Sequence, residues 1–92
     1  MAVGRAERRA DRRRRAESLF GAEKGSVALD LLELTELAWH DCYGEASPPE
    51  DIIEDMLLLS AGNLERLIQA ALLAVTDWRD LRVAADEIRN RA

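Results

Sequence analysis

An uninterrupted stretch without a helix breaker is the feature that most constrains the fold. Residues 63–90 contain neither Gly nor Pro. Their apolar side chains recur at alternating spacings of three and four residues, which places on one helix face Leu67, Ala71, Ala74, Trp78, Leu81, Ala85 and Ile88. With Asn63 as the N-cap, the pattern predicts a single helix about 40 Å long at 1.5 Å per residue.

Two shorter helices are predicted before this one. Ser26 is a residue type typical of N-caps, and Gly44 stands where a helix commonly ends, so the segment between them predicts a helix over 27–43. The face expected in its core is formed by Val27, Leu31, Leu34, Ala38 and Cys42.

The next helix is predicted over 49–61. Ser47 and Glu50 have the spacing of a capping box, and Pro48 suits a first helical position. No segment alternates as a strand would. We therefore predict an all-α fold, a small bundle of three core helices (27–43, 49–61 and 63–90) in a helical domain spanning 26–92.

A basic N-terminal arm is predicted over residues 1–18, because the first 16 residues carry seven Arg against two acidic residues while the whole chain has a net charge of −5. The arm has no apolar stripe, which is typical of a solvated helix or a flexible segment. It either binds an anionic partner or folds back on the acidic remainder of the chain. The first alternative predicts phosphate contacts from Arg5, Arg8, Arg9, Arg12, Arg13 and Arg15.

Cys42 is the only cysteine, so neither an intrachain disulfide nor a thiolate metal cluster can form within one chain. We expect it to be a small buried hydrophobe. His40 lies two helix positions away, which turns the two side chains about 200° apart, and no catalytic pair is predicted. The N-terminus lacks the apolar stretch of a secretory signal, and no apolar run is long enough to cross a bilayer. We therefore predict a soluble cytoplasmic protein. No cofactor is predicted.

A metal-dependent activity is an alternative. Glu33 and Glu36 share a helix face with His40. Antiparallel packing of the next helix would bring Asp51, Glu54 or Asp55 close to them, in an oxygen-rich set that suits Mg²⁺. The arrangement is similar to the carboxylate pairs of small α-helical nucleotide pyrophosphatases, although their second pair has the order Glu then Asp. The simpler interpretation is that these carboxylates are solvated or stabilise a helix N-terminus, and no metal ligand is predicted.

The long helix favours an interaction module rather than an enzyme. Its C-terminal half has no evident cover within the chain, and Trp78 is surrounded by charged residues, as interface anchors are. We predict a homodimer or a helical protein partner that contacts Ala74, Trp78, Leu81, Ala85 and Ile88. The alternatives are a nucleic-acid-associated accessory protein that uses the basic arm and an Mg²⁺-dependent nucleotide pyrophosphatase-like hydrolase.

Overall fold

The predicted all-α fold is confirmed. The computed structural model describes residues 5–91, with side chains from Ala6 onward. This part of the chain contains five helices and no strand: α1 Arg5–Phe20, α2 Ala22–Tyr43, α3 Glu50–Ser60, α4 Leu64–Thr76 and α5 Trp78–Arg91. α1 packs on α2, α2 on α4, and α3 on both α4 and α5. Among the described helices, none has the length and apolarity to cross a membrane.

α1 is packed against the bundle. Its buried residues Ala16 and Phe20 join the hydrophobic core, and the predicted boundary after residue 18 falls inside this helix. A Cβ atom on Gly25 would lie 2.8 Å from the Glu17 Cα atom, so the missing side chain of Gly25 is what allows α1 and α2 to cross closely. Residues 1–4 of the predicted arm lie outside the described residues.

α2 begins earlier than predicted and buries a different face. The helix starts at Ala22, so Ser26 lies inside it and is not its N-cap. Its end at Gly44 is confirmed, because the Gly44 N–H donates to the His40 carbonyl at 2.8 Å in a left-handed conformation.

The core side of α2 is formed by Ala28, Leu32, Thr35 and Trp39. The face predicted to be buried is instead exposed or half-buried: Val27, Leu31, Leu34, Ala38 and Cys42. Both sides of α2 are apolar, so periodicity alone cannot choose between them. Burying the other side places the indole ring of Trp39 in the core, against Tyr43 at 4.4 Å between ring centroids.

The predicted capping box at the start of α3 is wrong. The helix begins at Glu50 after Pro49, and Ser47 lies in the preceding connection. The predicted cap at Asn63 is confirmed, since its side chain accepts a hydrogen bond from the Arg66 N–H at 3.1 Å.

α2 and α4 run in the same direction. Just before their N-termini, Gly62 closely approaches the carbonyl of Leu19, in the last turn of α1, which would lie 2.8 Å from an added Cβ. At their C-terminal ends, the Tyr43 hydroxyl donates to the Ala74 carbonyl at 2.6 Å. The two helices therefore lie side by side.

The prediction of a single long helix over 63–90 is wrong, because Asp77 separates α4 from α5. This residue is extended, at φ −157° and ψ 98°. Its N–H closes α4 by donating to the Leu73 carbonyl at 2.7 Å, and its carboxylate accepts from the Arg79 N–H at 3.0 Å. An aspartate can end one helix and cap the next without Gly or Pro. The change of direction lets α5 pack on α3 and bury Leu81.

Candidate interaction surfaces

The arginines of α1 form ion pairs with acidic residues of α2 and α3. Arg9 pairs with Glu33, and Arg15 pairs with Glu54. Arg12 is almost completely buried and pairs with both Glu36 and Glu50, the latter at 2.7 Å. These ion pairs connect α1 to both α2 and α3.

The predicted phosphate-binding set is therefore divided. Arg9, Arg12 and Arg15 are held by carboxylates of the same chain. Arg13 is exposed, while Arg8 lines the cleft between α1 and α2. The side chain of Arg5 lies outside the described residues. Of the two roles expected for the basic segment, the described contacts correspond to folding back on the acidic remainder of the chain.

The carboxylates considered for Mg²⁺ do not share one site. Glu33 and Glu36 line a cleft of about 220 Å³ together with α1 arginines. Asp51 faces Arg82 of α5 at 3.5 Å, and Glu54 pairs with Arg15 of α1. Within residues 6–91, no group of three or more His, Cys, Asp or Glu side chains is arranged to hold a metal ion.

Asp55 is the most deeply buried charged residue described. Its exposed fraction is 0%, and two arginines of α5 bind its two oxygens. The Arg82 Nε donates to Oδ2 at 2.8 Å and the Arg89 Nη2 donates to Oδ1 at 2.7 Å. These hydrogen bonds raise the pKa of both guanidinium groups above the ordinary arginine value. The cluster joins α3 to α5 and serves the fold.

Sequence reasoning missed this cluster, although a signal was present. Asp55 lies on the same side of α3 as the buried residues Ile52 and Met56, and a charged residue on an apolar stripe needs a partner. Arg82 and Arg89 are seven positions apart, which places them on one face of a helix. The sequence alone could therefore have suggested an ion pair of Asp55 with Arg82 and Arg89.

His40 and Cys42 are both exposed and do not form a reactive pair. The nearest charged partner of His40 is Asp41, at 3.7 Å between Nδ1 and Oδ1. The expectation that Cys42 is buried is wrong, because this thiol lies on the outward side of α2.

The residues predicted as an interface lie in two different environments. Ala74, Leu81 and Ala85 have no exposed surface, because the packing of α4 and α5 on the chain's own core covers them. Trp78 is 37% exposed, with the Arg79 guanidinium 5.6 Å from its ring centroid, and Ile88 is half-buried. Only the last two could contact a partner of the folded chain.

A second group of apolar residues that remain accessible lies on α2 and α4, and three of them also pack partly against the core: Leu31, Leu64 and Ala71. Each helix has four apolar residues at spacings of four, three and four, and together they form what we call the α2–α4 face: Val27, Leu31, Leu34, Ala38, Leu64, Ile68, Ala71 and Val75. Val27, Leu34 and Ile68 are exposed and the other five are half-buried. The exposed Leu37 and Leu72 extend its edges.

Comparison with known proteins identifies no relative, since no protein-family model, no curated protein and no solved structure matches the chain.

Proposed function

We propose that the chain is a small assembly module that binds a helical protein partner through the α2–α4 face. The observation that carries this proposal is the apolar pattern of the face. Monomeric proteins rarely expose apolar patches larger than a few hundred Å², and larger ones mark protein–protein contacts. Five large side chains at or beside the face are at least half exposed: Val27, Leu34, Leu37, Ile68 and Leu72.

The spacing of the face indicates the kind of partner. Four-three-four spacing averages about 3.7 residues, close to the 3.6-residue turn of an α-helix, so the four side chains of each helix form one seam along it. Two such seams side by side form a groove into which another helix can pack. A partner with helices of matching apolar spacing is therefore the class that this surface favours, and a cytoplasmic location is part of the proposal.

The other two hypotheses have less support. A nucleic-acid role relied on the α1 arginines, three of which are in ion pairs with the chain's own carboxylates. A hydrolase role required Glu33 and Glu36 to meet one of three acids of α3 around one ion: Asp51, Glu54 or Asp55. All five carboxylates pair instead with arginines of α1 or α5.

The test is site-specific photo-crosslinking in cells that naturally produce the chain. The photoreactive residue p-benzoylphenylalanine replaces Leu72, at the edge of the face, and in a matched control it replaces the exposed Arg13 of α1. We expect discrete protein adducts from position 72, lost when Leu34→Glu is added, and none from position 13. Equal adducts from both positions, or none from position 72, would overturn the proposal.

A further inference from the structure

We infer that the partner on the α2–α4 face is a second copy of this chain, so that two copies form a four-helix interface from α2 and α4 of each. This inference rests on the proposed function and specifies its partner. A two-fold dimer brings the same surface of each copy together, and the face must therefore be complementary to itself.

Charge is the first reason for self-association. All eight positions of the face are uncharged, whereas the chain as a whole carries a net charge of −5. Two copies of an acidic chain repel one another wherever like charges meet across a symmetric interface. An uncharged face is the surface through which two such chains can associate.

Shape is the second reason. The face combines larger side chains with small ones, and Leu34 of α2 and Ala71 of α4 lie in the same half of it. When the two-fold axis runs parallel to the helices, α2 of one copy lies over α4 of the other. Leu34 of one copy then fills the space above Ala71 of the other, and the reverse contact forms at the same time. Such pairing of large with small side chains is how helical seams interlock.

Area is the third reason. α2 has 22 residues and α4 has 13, so the helices are about 33 and 20 Å long at 1.5 Å per residue. With the axes about 10 Å apart, their common outward side projects on the order of 500 Å² before side-chain relief is added. A stable dimer buries about 800 Å² per partner, and the face is therefore of the right order when its edges are included.

The experiment measures the molar mass of the purified full chain by light scattering after size exclusion, at protein concentrations from about 1 to about 200 μM. Leu34→Glu and Ile68→Glu each place a charge in the face. Val83→Glu is the matched control, because Val83 lies on α5 and is 58% exposed, close to the 60% of Leu34 and the 51% of Ile68. Circular dichroism checks that all variants keep the same helix content.

We expect the parent chain and Val83→Glu to have twice the 10.3 kDa mass of one chain. Leu34→Glu and Ile68→Glu should each raise the dimer dissociation constant at least about tenfold. A dimer that both face variants leave intact would overturn the inference, since the contact would then lie elsewhere.

A monomer at every concentration would also overturn the inference. The photo-crosslinking experiment then separates the two proposals. An adduct with a different protein would leave the proposed function standing with another partner, and the absence of adducts would end both.

Discussion

Asp55→Asn is expected to lower the free energy of unfolding substantially. The substitution removes the buried carboxylate charge of α3 that pairs with Arg82 and Arg89 of α5. Breaking a buried ion pair by neutralising one partner costs about 3–5 kcal/mol. Here the cost is smaller, since the Arg82 and Arg89 side chains are 36% and 42% exposed and regain water when the charge is lost. The retained amide oxygen also still accepts one hydrogen bond.

We therefore expect a loss of about 2–3 kcal/mol for Asp55→Asn. A chain of 92 residues has a total stability of roughly 5–14 kcal/mol at 0.05–0.15 kcal/mol per residue, and the loss is a large share of it. Urea unfolding followed by circular dichroism measures the change. With a urea slope of about 1–3 kcal/mol per molar, the midpoint should fall by roughly 1–3 M.

Asp86→Asn is the matched control, because Asp86 also pairs with Arg89, at 3.0 Å, but its side chain is about half exposed. Exposed pairs of this spacing contribute about 0.5 kcal/mol or less. Equal effects of the two substitutions would refute the reasoning. A double-mutant cycle gives a second check, since Arg89→Gln should destabilise the parent chain more than it destabilises Asp55→Asn. All samples need one protein concentration, because self-association changes apparent stability.

Three further predictions use the same unfolding assay. Gly62→Ala should lower the free energy of unfolding by about 1–3 kcal/mol more than Gly44→Ala does. Both glycines have positive φ, but only at Gly62 would the new Cβ meet backbone, because the Leu19 carbonyl oxygen would lie 2.8 Å away. Arg12→Ala should lower the free energy of unfolding by about 1–3 kcal/mol, whereas Arg13→Ala at an exposed position should lower it by at most about 0.5 kcal/mol. The difference between the two losses should become smaller in 1 M salt, which screens the ion pairs. Equal losses would contradict the ion-pair assignment. Burial raises the pKa of Tyr43 above its ordinary 10.0, so its hydroxyl stabilises the fold below pH 10 and this contribution is lost as the pH rises through the folded-state value. The stability difference between the parent chain and Tyr43→Phe, about 1 kcal/mol near neutral pH, should therefore shrink in alkali, and a constant difference would count against it.

Local chemistry in the sequence was sufficient to predict that the chain is helical, but not how its helices pack. Helical spacing, the absence of strand alternation, the Asn63 cap and the Gly44 end all depend on neighbours within a few residues, and each was predicted correctly. The position of α3 was also approximately right, whereas α2 begins at Ala22, five residues before its predicted start. Such features are determined by backbone propensity and capping, which act over one or two turns.

The tertiary structure decided which surfaces are buried and which are left for a partner. α2 is apolar on two sides, and only its packing against α1 and α4 placed Trp39 inside and Leu34 outside. The break at Asp77 depends on the contacts that α5 gains with α3, including the two arginines that neutralise Asp55. The ion pairs of Asp55 join residues about 30 positions apart in the chain, and a local sequence pattern does not show which of such distant residues will meet. The interface predicted from periodicity was therefore placed partly in the core, because a stripe of apolar residues has the same appearance in sequence whether it packs on its own chain or on another.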